Sequence, residues 1–289
     1  MTMEAIPAAP ARSHHKRRPW RPDPLTALSA VIVCAVLALT VWGSALAPQP
    51  PMRQDLFGAA LPPGGEHLLG TDQLGRDILS RTLAGARTAV LGPLIIALVT
   101  AVFSTCLGLL AGYIGGITDS VVSRLADVVY SVPPLLVAIV AVGVLGGGYT
   151  LGIVVLSILN IPAGLRSIRA AVLEQKALPY IESAWVIGKS GTHIMWVHIL
   201  PNIRPIALTT FFLAFTYAFV DLSTLSFLGL GVAPGTSDWG RMVAESRVLV
   251  FQNPWAALAP LLLIVVTAVC ANLLGESLEG AAAEKGKAR

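Results

Sequence analysis

The chain has 289 residues, with 20 Lys or Arg, 16 Asp or Glu and a formal net charge of +4. Charged residues make up 12% and apolar residues 55%, against roughly 25% charged in an ordinary soluble protein. So few charges do not coat the two soluble domains that the length suggests. A chain this apolar, with a mean hydropathy of +0.73, is not intrinsically disordered either.

Along the chain, a basic leader comes first, with Arg12, Lys16, Arg17, Arg18 and Arg21. Six windows nearly free of charge then follow: Leu25–Ala47, Ala89–Tyr113, Val128–Leu145, Tyr149–Leu165, Ile206–Leu228 and Trp255–Leu274. A helix rises 1.5 Å per residue, so about 20 apolar residues cross a hydrocarbon core of roughly 30 Å. Backbone groups in lipid must be satisfied within the segment, which predicts a helix for each window. The first window has 23 residues, longer than the 7–15 of a signal-peptide core, and reads as an uncleaved transmembrane helix. The third and fourth are short, and Gly146, Gly147 and Gly148 between them predict a hairpin with a minimal loop, with a single long re-entrant element as the alternative.

The placement of Lys and Arg predicts orientation. The leader, the 166–204 connection (Arg166, Arg169, Lys176, Lys189, Arg204) and the tail (Lys285, Lys287, Arg289) are basic and fall on one side. That places both termini in the cytoplasm. The opposite connections are balanced or nearly so. In 48–88, Arg53, Arg76, Arg81 and Arg87 face Asp55, Glu66, Asp72 and Asp77, and the basic residues of 229–254 are Arg241 and Arg247. No basic stripe with interleaved aromatics suggests nucleic acid as a partner; anionic lipid suits the leader.

The connections carry further elements. Thr71–Arg87 has helical periodicity through Leu74, Ile78, Leu79, Leu83 and Ala86, with Thr71 or Asp72 as its cap. It predicts a short amphipathic helix at the outer interface. Ser237–Leu249 predicts a second, capped by Ser237 or Asp238, with Trp239 at the membrane interface. Both either seal the bundle or dock an outside partner. In the inner connection, Ile181, Ala184, Trp185 and Gly188 share helical spacing, Pro201 is expected to end the next helical piece, and Pro205 to open the following membrane helix.

Several chemical signals fail. Gly188-Lys189-Ser190 resembles the end of a P-loop, but position 183 is serine where that motif needs glycine. His14, His15, His67, His193 and His198 are scattered and form no H-E-x-x-H, so no metal site is expected. Cys34, Cys106 and Cys270 all lie in apolar windows, as packed membrane cysteines do. No nucleophile has a matched base and orienting group, so the chain is not expected to be an enzyme. Asp221 is the one acid inside a membrane window. With Tyr217 and Thr224 close by, it either lines a translocation path or makes a structural polar contact.

Four ordered motifs then carry a resemblance. They are His67-Leu68-Leu69-Gly70-Thr71-Asp72 with Gly75-Arg76-Asp77; Gly112-Tyr113-Ile114-Gly115-Gly116 with Asp119, Arg124, Asp127 and Pro133; Glu182, Ala184 and Gly188 with Ile199-Leu200-Pro201; and Ser226-Phe227-Leu228-Gly229-Leu230-Gly231 with Pro234, Trp239, Gly240, Met242 and Glu245. Over residues 25–280 the chain resembles the dipeptide/oligopeptide/nickel type of ABC importer permease, as the second of that family's two permease subunits. Two positions depart. The coupling motif, usually Glu-Ala-Ala, here reads Glu182-Ser183-Ala184, and an acid common near Leu222 is here Asp221.

The resemblance implies an all-α polytopic fold of six transmembrane helices with short interfacial and coupling helices, in a bacterial inner membrane. It divides the chain into a cytoplasmic leader (1–24), a first span (25–47), an extracytoplasmic segment (48–88), the permease domain (89–280, with the coupling loop 166–204) and a tail (281–289). It implies a homologous permease partner, two cytoplasmic ATPases holding ATP and Mg, and an extracytoplasmic solute-binding protein. Coupling falls to Glu182, Ser183, Ala184 and Gly188, and binding-protein docking to Asp72, Arg76, Asp77 and Trp239. Peptides, nickel or metal chelates are the implied solutes. A secondary transporter or channel is the alternative, which the single intramembrane acid supports only weakly.

Overall fold

The computed structural model describes residues 23–287. The basic cluster of the leader and Arg289 lie outside the described residues. The helices are α1 Pro24–Leu46, α2 Ile78–Ile114, α3 Gly116–Tyr130, α4 Pro134–Val144, α5 Tyr149–Lys176, α6 Pro179–Val186, α7 Gly191–His193, α8 Leu200–Phe227, α9 Trp239–Glu245 and α10 Trp255–Lys287. A wide turn with i→i+5 bonding, Ile194–Ile199, joins α7 to α8. Among the described residues, extended pairing is confined to two isolated bridges. The helices α1, α2, α5, α8 and α10 are each long and apolar enough to cross a membrane. The pair α3 and α4, bent by 74° at the break between them, makes a sixth span if counted as one.

α2 is the hub, packed against α1, α5 and α8, and α8 in turn packs on α10. Its seam with α5 is built from small residues. A Cβ at Gly108 would lie 2.9 Å from the Ile168 Cβ, and one at Gly112 would lie 2.9 Å from the Val172 Cβ. Small residues four apart let two backbones approach where lipid offers no hydrophobic drive to association. A second device sits one turn before Pro93. The Tyr149 hydroxyl accepts from the Gly92 N–H at 2.8 Å and donates to the Thr88 carbonyl. It is inserted into the i→i−4 ladder of α2 and ties the start of α5 to that helix.

Three sequence expectations change. First, Thr71–Arg87 is not a separate helix. α2 starts at Ile78 and runs 37 residues without interruption, about 55 Å at 1.5 Å per residue. Asp77 caps it by accepting from the Ser80 N–H at 2.8 Å. Asp72 cannot cap, because its carboxylate is taken by Arg76, Arg81 and the N–H groups of Leu74 and Arg76. Second, the third window is not one helix. Pro133 and Pro134 stand together, and a residue before proline is driven out of the helical region. The chain therefore breaks at Ser131–Pro133, and the charged α3 turns back onto α5 through Arg169–Asp119 and Arg166–Asp127. Gly146, Gly147 and Gly148 all have positive φ and form the loop into α5. Third, Pro201 ends nothing. The wide turn absorbs the slack, with the Leu200 N–H bonded to the Met195 carbonyl. Pro201 then lies in the first turn of α8 and Pro205 inside it, where the first turn tolerates a missing N–H.

The connections gather at opposite ends of the bundle. Residues 48–77 and 229–254 pack together as a lobe at one end, joined by Asn253 Nδ2 donating to the Leu69 carbonyl at 2.9 Å and Gln73 Nε2 to the Glu245 carbonyl at 2.7 Å. α6, α7 and the wide turn close the other end.

Candidate functional site

At the loop end, α6 is a short helix with two unlike faces. Pro179 opens it, with its ring pre-set for the first turn. Ile181 and Ala184 are buried in one core with Leu109, Ile168, Val172, Ile194, Ile199 and Ile203, and α6 packs directly on the wide turn Ile194–Ile199. Two hydrogen bonds brace it. Tyr180 Oη donates to Gln175 Oε1 at 2.8 Å, and Asn202 Nδ2 donates to Tyr180 Oη at 3.1 Å.

The helix ends in a Schellman motif. The Lys189 N–H bonds to the Ala184 carbonyl at 3.1 Å and the Gly188 N–H to the Trp185 carbonyl at 2.9 Å. Gly188 sits at φ +83° with open space where a Cβ would be. Glycine is needed there for its backbone conformation, not for clearance.

Glu182 and Ser183 are exposed. The hydroxyl of Ser183 donates back to the Pro179 carbonyl at 3.0 Å, so the residue presents little more than alanine would. The sequence grouped Trp185 with Ile181 and Ala184, but Trp185 points outward, 53% exposed, and Val186 and Ile187 follow at 83% and 76%. None of these three was singled out for coupling within the Glu182–Gly188 loop. The signal for them was an apolar run just before a capping glycine, on a helix whose inner face was already filled by Ile181 and Ala184. The result is a rigidly seated helix with an acid and an apolar tip facing outward, which is what a grooved partner surface requires.

At the lobe end, Asp72, Arg76, Asp77 and Trp239 are all buried. Their side chains are turned into the lobe and not toward the surface where docking was expected. Their positions are explained by an ionic core that the sequence did not show. Asp72 accepts from Arg76 Nε at 2.7 Å and from Arg81 Nη1. Glu245 accepts from Arg76 Nη2 and Arg81 Nη2, both at 3.0 Å, and from Arg241 Nε at 3.1 Å. Burial alone pushes the Glu245 carboxyl up; the charges of Arg81 and Arg76 and the hydrogen bonds from Arg241 and Arg81 outweigh it and hold the group below the ordinary glutamate value of 4.5. Asp77 joins Ser80 to His67, whose Nδ1 lies 3.0 Å from its Oδ1. Trp239 packs edge-on against Phe219 and donates its Nε1–H to the Thr82 carbonyl at 2.8 Å. These residues hold the lobe to α2 and α8.

On α8, Tyr217, Asp221 and Thr224 lie on one side at i, i+4 and i+7. Tyr217 is 60% exposed. Asp221 makes no side-chain hydrogen bond or ion pair among the described residues, and Thr224 Oγ1 donates to the Val220 carbonyl at 2.8 Å. Leu222 is buried in the core shared with α4 and α5. The acid therefore faces away from the direction an acid at 222 would take.

Comparison with known proteins settles the class. The family described as "Binding-protein-dependent transport system inner membrane component" matches residues 104–282. The chain belongs to this family. Curated relatives extend the match over nearly the whole permease. It is 34% identical over 260 residues to the dipeptide transport system permease protein DppC of Haemophilus influenzae, covering 88% of each chain. It is 34% identical over 278 residues to the glutathione transport system permease protein GsiD of Pectobacterium atrosepticum, covering 93% of this chain and 92% of that one. It is 32% identical over 256 residues to the probable D,D-dipeptide transport system permease protein DdpC of Escherichia coli, covering 89% and 86%. A chain of the inward-facing MetNI methionine ABC transporter aligns with a TM-score of 0.52 at 18% identity, over 67% of this permease and 94% of that chain. At that identity it shows a shared fold. The permease is thus a multi-pass membrane subunit of an ATP-driven importer, working with ATPase subunits and a substrate-binding protein.

Proposed function

We propose that the permease pairs with a second, non-identical permease, carries dipeptide-class solutes inward, and meets its ATPase through the tip Trp185–Ile187 with both termini in the cytoplasm. The observation that carries this is the seating of α6: a buried inner face and an exposed apolar tip, at the end of the bundle that holds the basic 166–204 connection. Force applied at the tip passes through Ile181 and Ala184 into the wide turn, and through Tyr180 to Gln175 of α5 and Asn202 of α8, the rigid-body coupling that alternating access needs. ATP and Mg bind on the ATPase chains. The names of the relatives point to peptides: dipeptide, D,D-dipeptide and glutathione. With Asp72, Arg76, Asp77 and Trp239 inside the lobe, its exposed residues, Phe57 and Phe251 among them, are left to face the binding protein.

The test is a Trp185→Asp, Ile187→Asp double variant expressed with its partners. Membrane insertion and unfolding temperature stay at wild-type levels, while the ATPase no longer co-purifies and ATP-driven dipeptide uptake is lost. Wild-type amounts of ATPase on this variant, with uptake intact, would overturn the reading.

A further inference from the structure

Halfway along the bundle, three spanning helices turn polar side chains towards one shallow notch of about 70 Å³. α5 contributes Asn160 and Ser167, α8 contributes Thr210 and Tyr217, and α2 contributes Thr100. These positions lie about 14–33 Å from either end of their helices at 1.5 Å per residue, near the middle of a bilayer core of roughly 30 Å. Gly164 in its lining lets α5 approach α2 and α8 closely beside the notch. A Cβ on Gly164 would lie 2.6 Å from Thr210 Cγ2 and 2.7 Å from Ser104 Oγ.

The notch retains unused hydrogen-bonding capacity. Asn160 Nδ2 donates to the Leu156 carbonyl at 2.8 Å, which leaves its Oδ1 without a donor among the described residues. The Tyr217 hydroxyl has no partner among them either, and Ser167 Oγ reaches the Ala163 carbonyl only at 3.4 Å. Hydrocarbon would penalise each such group by about 1–3 kcal/mol. By contrast, the groove on another face of α2 and α8, lined by Leu98, Val102, Leu208 and Phe211, is apolar and suits lipid.

Two further features set the notch apart from a packing seam. Its main walls, α5 and α8, are the spanning helices before and after α6 in the chain and are tied to it through Gln175 and Asn202, so displacement of the tip bears on both. The lining is also uncharged, with neutral donors and acceptors of the kind that match an amide. Asp221 lies one turn further along α8 on the side of Tyr217, with the sign that suits an ammonium group.

We propose that this notch is a solute-contact station in the translocation path. In it Asn160, Ser167, Thr210 and Tyr217 hydrogen-bond the amide of a passing peptide, and Asp221 receives its free amino terminus. The inference rests on the dipeptide-importer reading above and assigns that reading its contact residues.

The test uses the complete complex in proteoliposomes, with Cys34, Cys106 and Cys270 replaced and single cysteines introduced. A charged methanethiosulfonate modifies Ser167→Cys and Tyr217→Cys about tenfold or more faster than Val154→Cys on an apolar part of α5, the ratio that a 1.4 kcal/mol difference in access gives. Dialanine supplied with the binding protein slows both reactions. Tyr217→Phe lowers dialanine uptake about fivefold, the worth of one hydrogen bond of about 1 kcal/mol. Asp221→Asn removes the preference for dialanine over its N-acetylated form. Labelling no faster than at Val154→Cys in every nucleotide state, with uptake intact, would overturn the notch and leave the dipeptide reading standing. Fast labelling without ATP-driven uptake of dialanine would overturn the peptide chemistry of both. Cross-linking of Tyr217→Cys to the second permease in place of labelling would make the notch a subunit seam.

Discussion

At the scale of single residues, Glu245 shows how a charge comes to be buried. It is shared by Arg76, Arg81 and Arg241, and breaking such a set leaves guanidinium groups short of a counter-charge in a poorly solvated site. Glu245→Gln is expected to destabilise the lobe by about 1–3 kcal/mol, read as a lower unfolding temperature of the purified complex. The sign of the pH dependence follows from its depressed folded pKa. The unfolded chain binds the proton first, so this stabilisation is complete above the ordinary value of 4.5. It is lost as pH falls from there through the folded value. Wild-type stability should therefore drop on acidification below about pH 4.5, and Glu245→Gln should flatten that limb of the curve. Tyr149 makes a second case. Tyr149→Phe removes a hydroxyl bonded to both Gly92 and Thr88 and should cost about 1–2 kcal/mol, measurable in the same unfolding assay.

At the scale of elements, α6 separates two kinds of requirement. Ile181 is fully buried, so Ile181→Ala should cost about 2–4 kcal/mol through lost burial and the cavity left behind, and it should loosen the coupling end. Gly188 meets no atom within 4 Å, so Gly188→Val carries only the backbone penalty of a left-handed position, about 1–2 kcal/mol. Its effect should be to re-aim the chain after the tip. ATPase activity stimulated by the binding protein is expected to fall more than the unfolding temperature. Equal losses in both would remove the special role of this turn. The periodicity of Ile181 and Ala184 was readable in the sequence because a 3.6-residue repeat marks an inner face. The outward position of Trp185 was not, since an apolar residue next to that face looks like part of it until the neighbouring helices are in place.

At the scale of the whole molecule, the permease is a hub helix with partners. α2 gathers α1, α5 and α8 along its length. It carries the lobe at one end through Arg81 and Thr82, and at the other end it supports α6 through Leu109. A single helix therefore spans from the lobe to the end of the bundle that carries α6. Widening the α2–α5 seam should weaken both ends together. Gly108→Leu, which must displace Ile168 at a 2.9 Å approach, is expected to lower the unfolding temperature and to reduce ATPase co-purification in the same preparation, although it touches neither the lobe nor the tip.

The sequence by itself determined that this chain crosses a membrane, where most of its spans lie and which class of transporter it serves. Charge is excluded from hydrocarbon by several kilocalories per group, so its absence marks a span without any knowledge of neighbours, and the four ordered motifs carried the rest. Only the tertiary structure decided what depends on a partner in space. It showed that Asp72 is an ion-pair hub and not a cap, and that the chain bends by 74° at the break before Pro134, near the start of a predicted span. It showed Trp239 to be a buried anchor and Trp185 an exposed tip. Both tryptophans sit on short helices, and the burial of either is fixed by which helix arrives opposite it.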